Sequence, residues 1–142
     1  MKRQRGSQSL EFAMIVLPFV LLLLAIFELT RFLWLNMVFD SAVNQAMRVA
    51  RVIPPASAAE QSVKEKMASF PLLEEEKIEL SAPRYAGSVS DLAYYHMTSA
   101  SQAKLGQYTV KYHFSFLLIP RLSAVWQESM TLQRVMVVAY DQ

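Results

Sequence analysis

The sequence predicts an α+β protein in which one long N-terminal helix, apolar in its first half and kinked near Pro18, continues into a small domain. Three patterns support this fold class. No residue from 12 to 27 is charged or polar, apolar residues recur at three- and four-residue steps from 35 to 53, and strand-like runs follow later. We therefore expect a second helix and a roughly three-stranded antiparallel sheet beside the long helix.

Length and composition limit the classes of protein that the chain can represent. Its 142 residues provide one small domain besides the apolar segment. The absence of cysteine excludes disulfides and thiolate metal sites. The net charge of +2 comes from three basic residues at the start, Lys2, Arg3 and Arg5, without which the chain would be slightly acidic. No other basic patch is interleaved with aromatic residues, so we predict no nucleic-acid partner.

The apolar run is long enough to cross a membrane. From Phe12 to Leu35 a helix at ~1.5 Å per residue would be about 36 Å long, against a bilayer core of roughly 30 Å. We therefore predict a transmembrane helix over 7–35, with membrane lipid around it. Glu28 and Arg31 would fall at the far interface, where their spacing allows an ion pair on one helical face.

The basic residues before the apolar run predict its orientation. A cluster of Lys and Arg beside a membrane helix favours the cytoplasmic side, so we expect the N-terminus in the cytoplasm and the rest of the chain across the membrane. A cleavable secretory signal is the alternative. It fits less well because the apolar stretch is longer than a usual signal core and no small-x-small cleavage site follows it.

Proline and alanine have distinct positions along this helix. Pro18 removes one backbone hydrogen bond inside the apolar run, and we expect a kink there. The helix continues over 36–53 with polar residues on its other face. Ala42, Ala46 and Ala50 form a lane of small side chains that permits close approach of another element. That element lies either in the chain's own domain alone or in neighbouring subunits as well.

The exposed domain over 36–142 shows one further helix and three strand-like runs. Ser57, followed by Glu60 three residues later, indicates a capping box at the start of the second helix. The polar stretch 84–107, with room for a short helix over 89–97, is the longest irregular segment and a candidate contact loop. The predicted elements are a helix over 56–70 and strands over 77–83, 108–118 and 129–140.

No catalytic constellation is present in the sequence. The two histidines, His96 and His113, lack a metal-ligand spacing, and the serines lie outside nucleophile motifs. We therefore expect no enzyme activity, no cofactor and no metal, with both histidines on the surface or packed in the fold. A group of large side chains in the loops fits an interface or core packing equally well: Tyr85, Tyr94, Tyr95, Met97 and Trp126.

A lone carboxylate, Glu11, stands where the apolar run begins. Desolvating such a charge costs roughly 2.5 kcal/mol or more at mid-bilayer and less at an edge, unless a cation compensates. A cut after Gly6 would create an α-amine on Ser7, one helical turn from Glu11. That amine could meet Glu11 in the same chain or in a neighbour. The alternative is a carboxylate lying among lipid headgroups.

These residues resemble a known family. Gly6-Ser-Gln-Ser-Leu-Glu11-Phe12 is similar to the type IV prepilin processing signature. The wider stretch, with Pro18 in the anchor, Glu28 before Arg31, and then Ala46-Met-Arg-Val-Ala-Arg51, resembles the TadE-like minor pseudopilins of tight-adherence (Flp-type) pilus systems. The resemblance covers about residues 6–51. It implies a leader over 1–6, cleavage between Gly6 and Ser7 by a prepilin peptidase, and no catalytic activity.

The resemblance also implies where the protein works and what it contacts. It would be a single-pass inner-membrane protein with a periplasmic C-terminal domain, later incorporated into an extracellular pilus. Its partners would be other minor pseudopilins, the major pilin and the inner-membrane assembly platform. Because the major pilin of these systems is very short, a chain with a whole domain after the helix favours a minor subunit that acts in initiation, at the tip or in adhesion. The alternative is a membrane-anchored periplasmic binding or adaptor protein that is neither processed nor polymerised.

Overall fold

A computed structural model of the chain describes residues 4–53, 57–118 and 130–140. It confirms the predicted α+β class: a long N-terminal helix precedes a small domain with a second helix and an antiparallel sheet. Two 3₁₀ turns, Glu75–Lys77 and Ala100–Gln102, lie between the other elements. In chain order those are α1 (Gln4–Val52), α2 (Ser57–Ala68), β1 (Ile78–Leu80), β2 (Arg84–Ala86), α3 (Val89–Ala93), β3 (Leu105–His113) and β4 (Thr131–Ala139).

Helix α1 is one continuous helix whose two halves have different surroundings. It runs unbroken through Pro18, and the kink there stays a prediction. Its stretch from Gln8 is long and apolar enough to cross a membrane, and no residue of its most apolar window is buried. Burial starts at Glu28, continues with the half-buried Arg31 and Phe32, and recurs every three or four residues from Leu35, because one helical stripe faces the domain. That stripe consists of Leu35, Phe39, Ala42, Val43, Ala46 and Ala50.

The alanine lane of α1 lies inside the chain's own domain. Ala42, Ala46 and Ala50 are fully buried, and α1 contacts α2. Helix α2 contributes Ala59, Val63 and Met67 at four-residue steps, also fully buried. The lane therefore leaves no free surface for a neighbouring subunit at these positions.

Within the described residues, the end of α1 and both ends of α2 lie close to their predicted bounds. Helix α1 ends at Val52 and α2 covers Ser57–Ala68, shorter than the predicted 56–70. The capping side chain of Ser57 and the Pro54-Pro55 helix stop lie outside the described residues. The same holds for the connection 119–129, which includes Trp126.

Strand β3 is the centre of the sheet. Strand β4 pairs antiparallel along its whole length on one side. On the other side lie β1, with Leu80 opposite Val110, and β2, with Arg84 opposite Gln107. The register changes by one residue between them, so β1 and β2 form one edge strand interrupted by a β-bulge at residues 81–83. The predicted strand 77–83 is thus the first part of a longer, broken strand. The four strands β1–β4 therefore occupy three positions in the sheet: β1 and β2 share one edge, β3 lies in the centre and β4 forms the other edge.

The segment 84–107 contains more regular structure than predicted, because the short helix expected over 89–97 is joined by strand residues at both ends. It holds β2, the short helix α3, the second 3₁₀ turn and the first residues of β3. Ser88 caps α3 by accepting a hydrogen bond from the backbone N–H of Asp91. Both ends of the segment are therefore strands of the sheet. The sequence did not predict this, because the segment lacks a strong periodicity of apolar residues.

Tyrosines from three strands meet at the far end of the sheet core. The hydroxyls of Tyr108 and Tyr140 lie 2.6 Å apart, and both side chains are buried. Burial raises the pKa of Tyr108, and its hydrogen bond with Tyr140 raises it further. Burial is also the main cause that raises the pKa of Tyr85 in β2, and the neighbouring Tyr108 phenol acts in the same direction. The cluster is therefore neutral through the physiological pH range, as a desolvated phenol should be.

Gly106 provides the space that this tyrosine cluster needs. A Cβ at Gly106 would lie 2.7 Å from the Tyr140 hydroxyl oxygen and 3.0 Å from ring atom Cε2. The ring cannot retreat freely, because its hydroxyl is bonded to Tyr108. We expect Gly106→Ala to lower the free energy of unfolding by about 1–3 kcal/mol, the usual cost of overpacking, measured by thermal or urea unfolding of the full chain in detergent.

Gly87→Ala is the matched control for that substitution. The nearest atom to a Cβ at Gly87 is Asp91 Oδ2, at an ordinary 3.5 Å. Its stability should therefore stay close to that of the parent chain. Equal stability of the two alanine variants would show that Tyr140 is not fixed against Gly106.

Candidate functional site

The predicted processing site lies at the start of α1. The backbone of Gly6 and Ser7 is helical, and the Ser7 side chain is outside the described residues. Glu11 is exposed one turn further on. At ~1.5 Å per residue the Cα atoms of Ser7 and Glu11 are about 6 Å apart along the axis, within reach of a side-chain carboxylate. The geometry is compatible with an amine–carboxylate pair, although cleavage itself stays a prediction.

The histidines hold structural positions on the described surface. His113 in β3 reaches both neighbouring strands: its Nε2 lies 3.1 Å from Glu79 Oε1, and its Nδ1 lies 3.3 Å from Thr131 Oγ1. His96 is exposed after α3. Among the residues that the structure describes, no three His, Cys, Asp or Glu side chains form a group that could hold a metal ion.

The large loop side chains that fitted an interface or core packing equally well divide into two groups. Tyr85 belongs to the buried tyrosine cluster. Tyr94, Tyr95 and Met97, after α3, are exposed, and the Arg84 guanidinium lies 5.3 Å from the centre of the Tyr95 ring. These exposed side chains stay candidates for an interface.

The most elaborate polar site lies where the apolar half of α1 meets the domain. Glu28 is only 7% exposed. Its Oε1 accepts hydrogen bonds from the backbone N–H groups of Leu117 and Leu118, at 2.8 and 2.9 Å. Its Oε2 lies 3.0 Å from Nη1 of Arg31. The buried carboxylate thus accepts hydrogen bonds from three donors, and these bonds offset the free-energy cost of burying its charge.

Arg31 completes the same site from the next helical turn. Its Nη1 and Nη2 both donate to the backbone oxygen of Ser115, at 3.2 Å. Its guanidinium carbon lies 5.0 Å from the centre of the Phe114 ring, in cation–π range. We call Glu28, Arg31 and the segment 114–118 the boundary clasp, because together they fasten the chain after β3 to the helix.

The boundary clasp explains where β3 ends. The run 108–118 has high strand propensity and was predicted to be a strand throughout, but β3 ends at His113. After the Phe114 N–H, which still bonds Met130 O, the backbone groups of Ser115, Leu117 and Leu118 turn to the helix instead. The predicted end at residue 118 is therefore wrong, because two helix side chains replace the ladder partners.

A second polar contact holds β4 against the same helix. Arg134 Nε lies 2.7 Å from Asp40 Oδ1, and its Nη2 donates to Asn36 Oδ1 at 3.1 Å. Arg134 points to the helix side of the sheet, opposite Val110 in the register. The predicted Glu28–Arg31 ion pair is present. Sequence reasoning missed the Arg134 contact and the backbone partners of Glu28 at Leu117 and Leu118. The local signal for the Arg134 contact was a charged residue, Asp40, on a stretch of α1 that otherwise packs apolar side chains against the domain.

One protein family matches the N-terminal helix of this chain. Residues 6–48 match the family model described as TadE-like protein. No curated protein and no solved structure gives a significant match. The matched range contains the whole exposed apolar half of α1, the Glu28–Arg31 pair, and the first part of the buried stripe. The resemblance to the TadE-like proteins of tight-adherence pilus systems is thus confirmed over residues 6–48, and the single apolar helix there fits a single-pass membrane anchor.

Proposed function

We propose that the protein is a minor subunit of a tight-adherence pilus, anchored in the inner membrane by the first half of α1. A prepilin peptidase cuts between Gly6 and Ser7, and the mature chain then joins a pilus or its initiating tip. The chain has no catalytic activity of its own. Its contacts are the other minor pseudopilins, the major pilin and the membrane platform that assembles them.

One observation carries this proposal: α1 is a single helix with two different surroundings. Its first half is exposed on every side, while its second half is the spine on which the domain packs. An apolar helix surface of this kind is satisfied by lipid tails or by apolar helices of neighbouring subunits, because both are equally apolar. A subunit that moves from membrane to filament needs such a surface.

The leader and domain fit the same proposal. The basic residues before Gly6 favour a cytoplasmic leader, so the domain would lie in the periplasm. The size of that domain favours a minor position such as initiation, tip or adhesion.

The proposal is tested by the N-terminus of the mature protein. We expect protein isolated from its native host to begin at Ser7, and protein from a host that lacks the prepilin peptidase to begin at Met1. Intact-mass measurement and N-terminal sequencing distinguish the two forms directly. A chain that keeps Met1 in the peptidase-positive host would overturn the proposal.

A second candidate is a membrane-anchored adaptor or binding protein that is never processed. The exposed Tyr94, Tyr95 and Met97 favour it, since aromatic and methionine side chains are enriched at interfaces. An intact Met1 terminus, together with a chain that stays in the membrane fraction and is absent from sheared pili, would support this candidate.

A further inference from the structure

We propose that Leu117 and Leu118 form a second membrane contact, by which the domain rests on the bilayer at the end of the spanning segment. The inference depends on insertion of α1 in the membrane, which is part of the proposed function, but not on processing or on pilus assembly. The occupant of this surface is lipid at the boundary between acyl chains and headgroups.

The exposure of the two leucines is the first observation. Leu117 is 65% exposed and Leu118 is 41% exposed, although their backbone is fixed to the buried Glu28. Their side chains therefore project outward from an anchored loop. The apolar surface they offer continues that of α1, where Leu24, one turn before Glu28 on the same face, and Leu29 are also exposed.

The depth of the loop is set by the helix. Side chains of an α-helix tilt toward its N-terminus, so the Glu28 carboxylate lies over the preceding turn, within the apolar half. The N–H groups of Leu117 and Leu118 meet the carboxylate there. Trp34, 63% exposed, lies about 9 Å beyond Glu28 along the helix axis at ~1.5 Å per residue. Its amphipathic ring suits the level of the lipid headgroups. The two leucines thus lie on the acyl-chain side of this tryptophan.

The hydrogen bonds of the boundary clasp remove the main obstacle to lipid contact. Irregular backbone is excluded from hydrocarbon because its polar groups lack partners there. In this loop, Glu28 accepts from both leucine N–H groups, and Arg31 donates to the Ser115 carbonyl. The carboxylate and guanidinium also neutralise each other at 3.0 Å. The loop therefore presents apolar side chains to lipid while the N–H groups of Leu117 and Leu118 and the carbonyl of Ser115 are bonded inside the protein.

Single-cysteine labelling tests the contact, because the chain has no native cysteine. Leu117→Cys leaves the backbone bonds to Glu28 in place. The matched variants are Leu17→Cys in the exposed apolar half and Val137→Cys, an exposed apolar side chain on the outer face of β4. Each full-length variant is labelled with an environment-sensitive fluorophore and reconstituted at one chain per phosphatidylcholine–phosphatidylglycerol nanodisc. Nitroxide-bearing lipids and aqueous iodide serve as the two quenchers.

We expect the label at position 117 to emit at shorter wavelength than that at position 137. Nitroxide lipids should quench it at least half as strongly as the label at position 17, with weak iodide quenching. If position 117 is quenched by iodide as strongly as position 137, while position 17 is protected, the lipid contact is wrong and membrane insertion stands. If position 17 is itself open to iodide, membrane insertion is wrong and the inference falls with it. Protection of position 117 only in vesicles with many copies would assign the surface to a second copy and overturn the lipid contact.

Discussion

Replacing Glu28 with alanine is expected to lower the free energy of unfolding of the domain by about 2–4 kcal/mol. The substitution leaves the N–H groups of Leu117 and Leu118 without an acceptor and Arg31 without its carboxylate. An unsatisfied buried donor costs about 1–3 kcal/mol. Both N–H groups are only partly buried, so each falls toward the lower end of that range, and the unpaired charge of Arg31 adds to the cost. For a domain of this size the change corresponds to a fall in Tm of roughly 10–20 °C. Thermal unfolding of the full chain in detergent, followed by tyrosine circular dichroism, measures it.

Glu28→Gln separates the two roles of the carboxylate. The amide keeps an oxygen for the two N–H groups but loses the charge that faces Arg31. We therefore expect a smaller loss of stability for glutamine than for alanine. Glu79→Ala is the control, because it removes an exposed carboxylate that, among the described residues, is paired with His113. It should change stability by less than about 1 kcal/mol. An alanine variant at position 28 as stable as this control would show that the boundary clasp does not form.

The long helix could be predicted because its signals are local. Composition alone marks the apolar half, and the three- and four-residue steps mark the buried stripe from Leu35 to Ala50. The spacing of Glu28 and Arg31 also predicts that they can meet, since residues three apart share a helical face. Such patterns need no knowledge of the rest of the fold.

The long-range contacts of the boundary clasp, and the Asp40–Arg134 pair, could not be predicted because their partners are distant in sequence. Arg31 and Ser115 are separated by 84 positions, and Asp40 and Arg134 by 94. The strand propensity of residues 114–118 pointed the other way, and tertiary contacts overrode it. The bulge at residues 81–83 could not be predicted for a related reason. The alternation of apolar and polar side chains locates a strand, but the pairing with the neighbouring strand β3 decides where the strand is interrupted.

Gly6→Ala and Glu11→Ala are expected to block two different steps of the proposed pathway. Gly6→Ala should prevent cleavage entirely, so that the chain keeps residues 1–6 and stays in the membrane. Glu11→Ala should leave cleavage intact and reduce incorporation into pili. Intact mass reports cleavage, and immunoblotting of sheared pili reports incorporation. Glu65→Ala, which removes an exposed carboxylate from α2, should affect neither readout.

The two steps separate because the cation proposed for Glu11 exists only after the cut. Before cleavage Ser7 has a neutral peptide nitrogen, and afterwards it carries an α-amine one helical turn from Glu11. In the membrane the carboxylate can remain near headgroups and water. Within a bundle of apolar helices it would lose that solvation, and an amine of the same or a neighbouring chain would compensate. Glu11→Gln, which keeps the polarity but not the charge, should therefore be cleaved and yet show the same reduced incorporation into pili as Glu11→Ala. Normal piliation in the glutamine variant would show that the charge of Glu11 has no part in assembly.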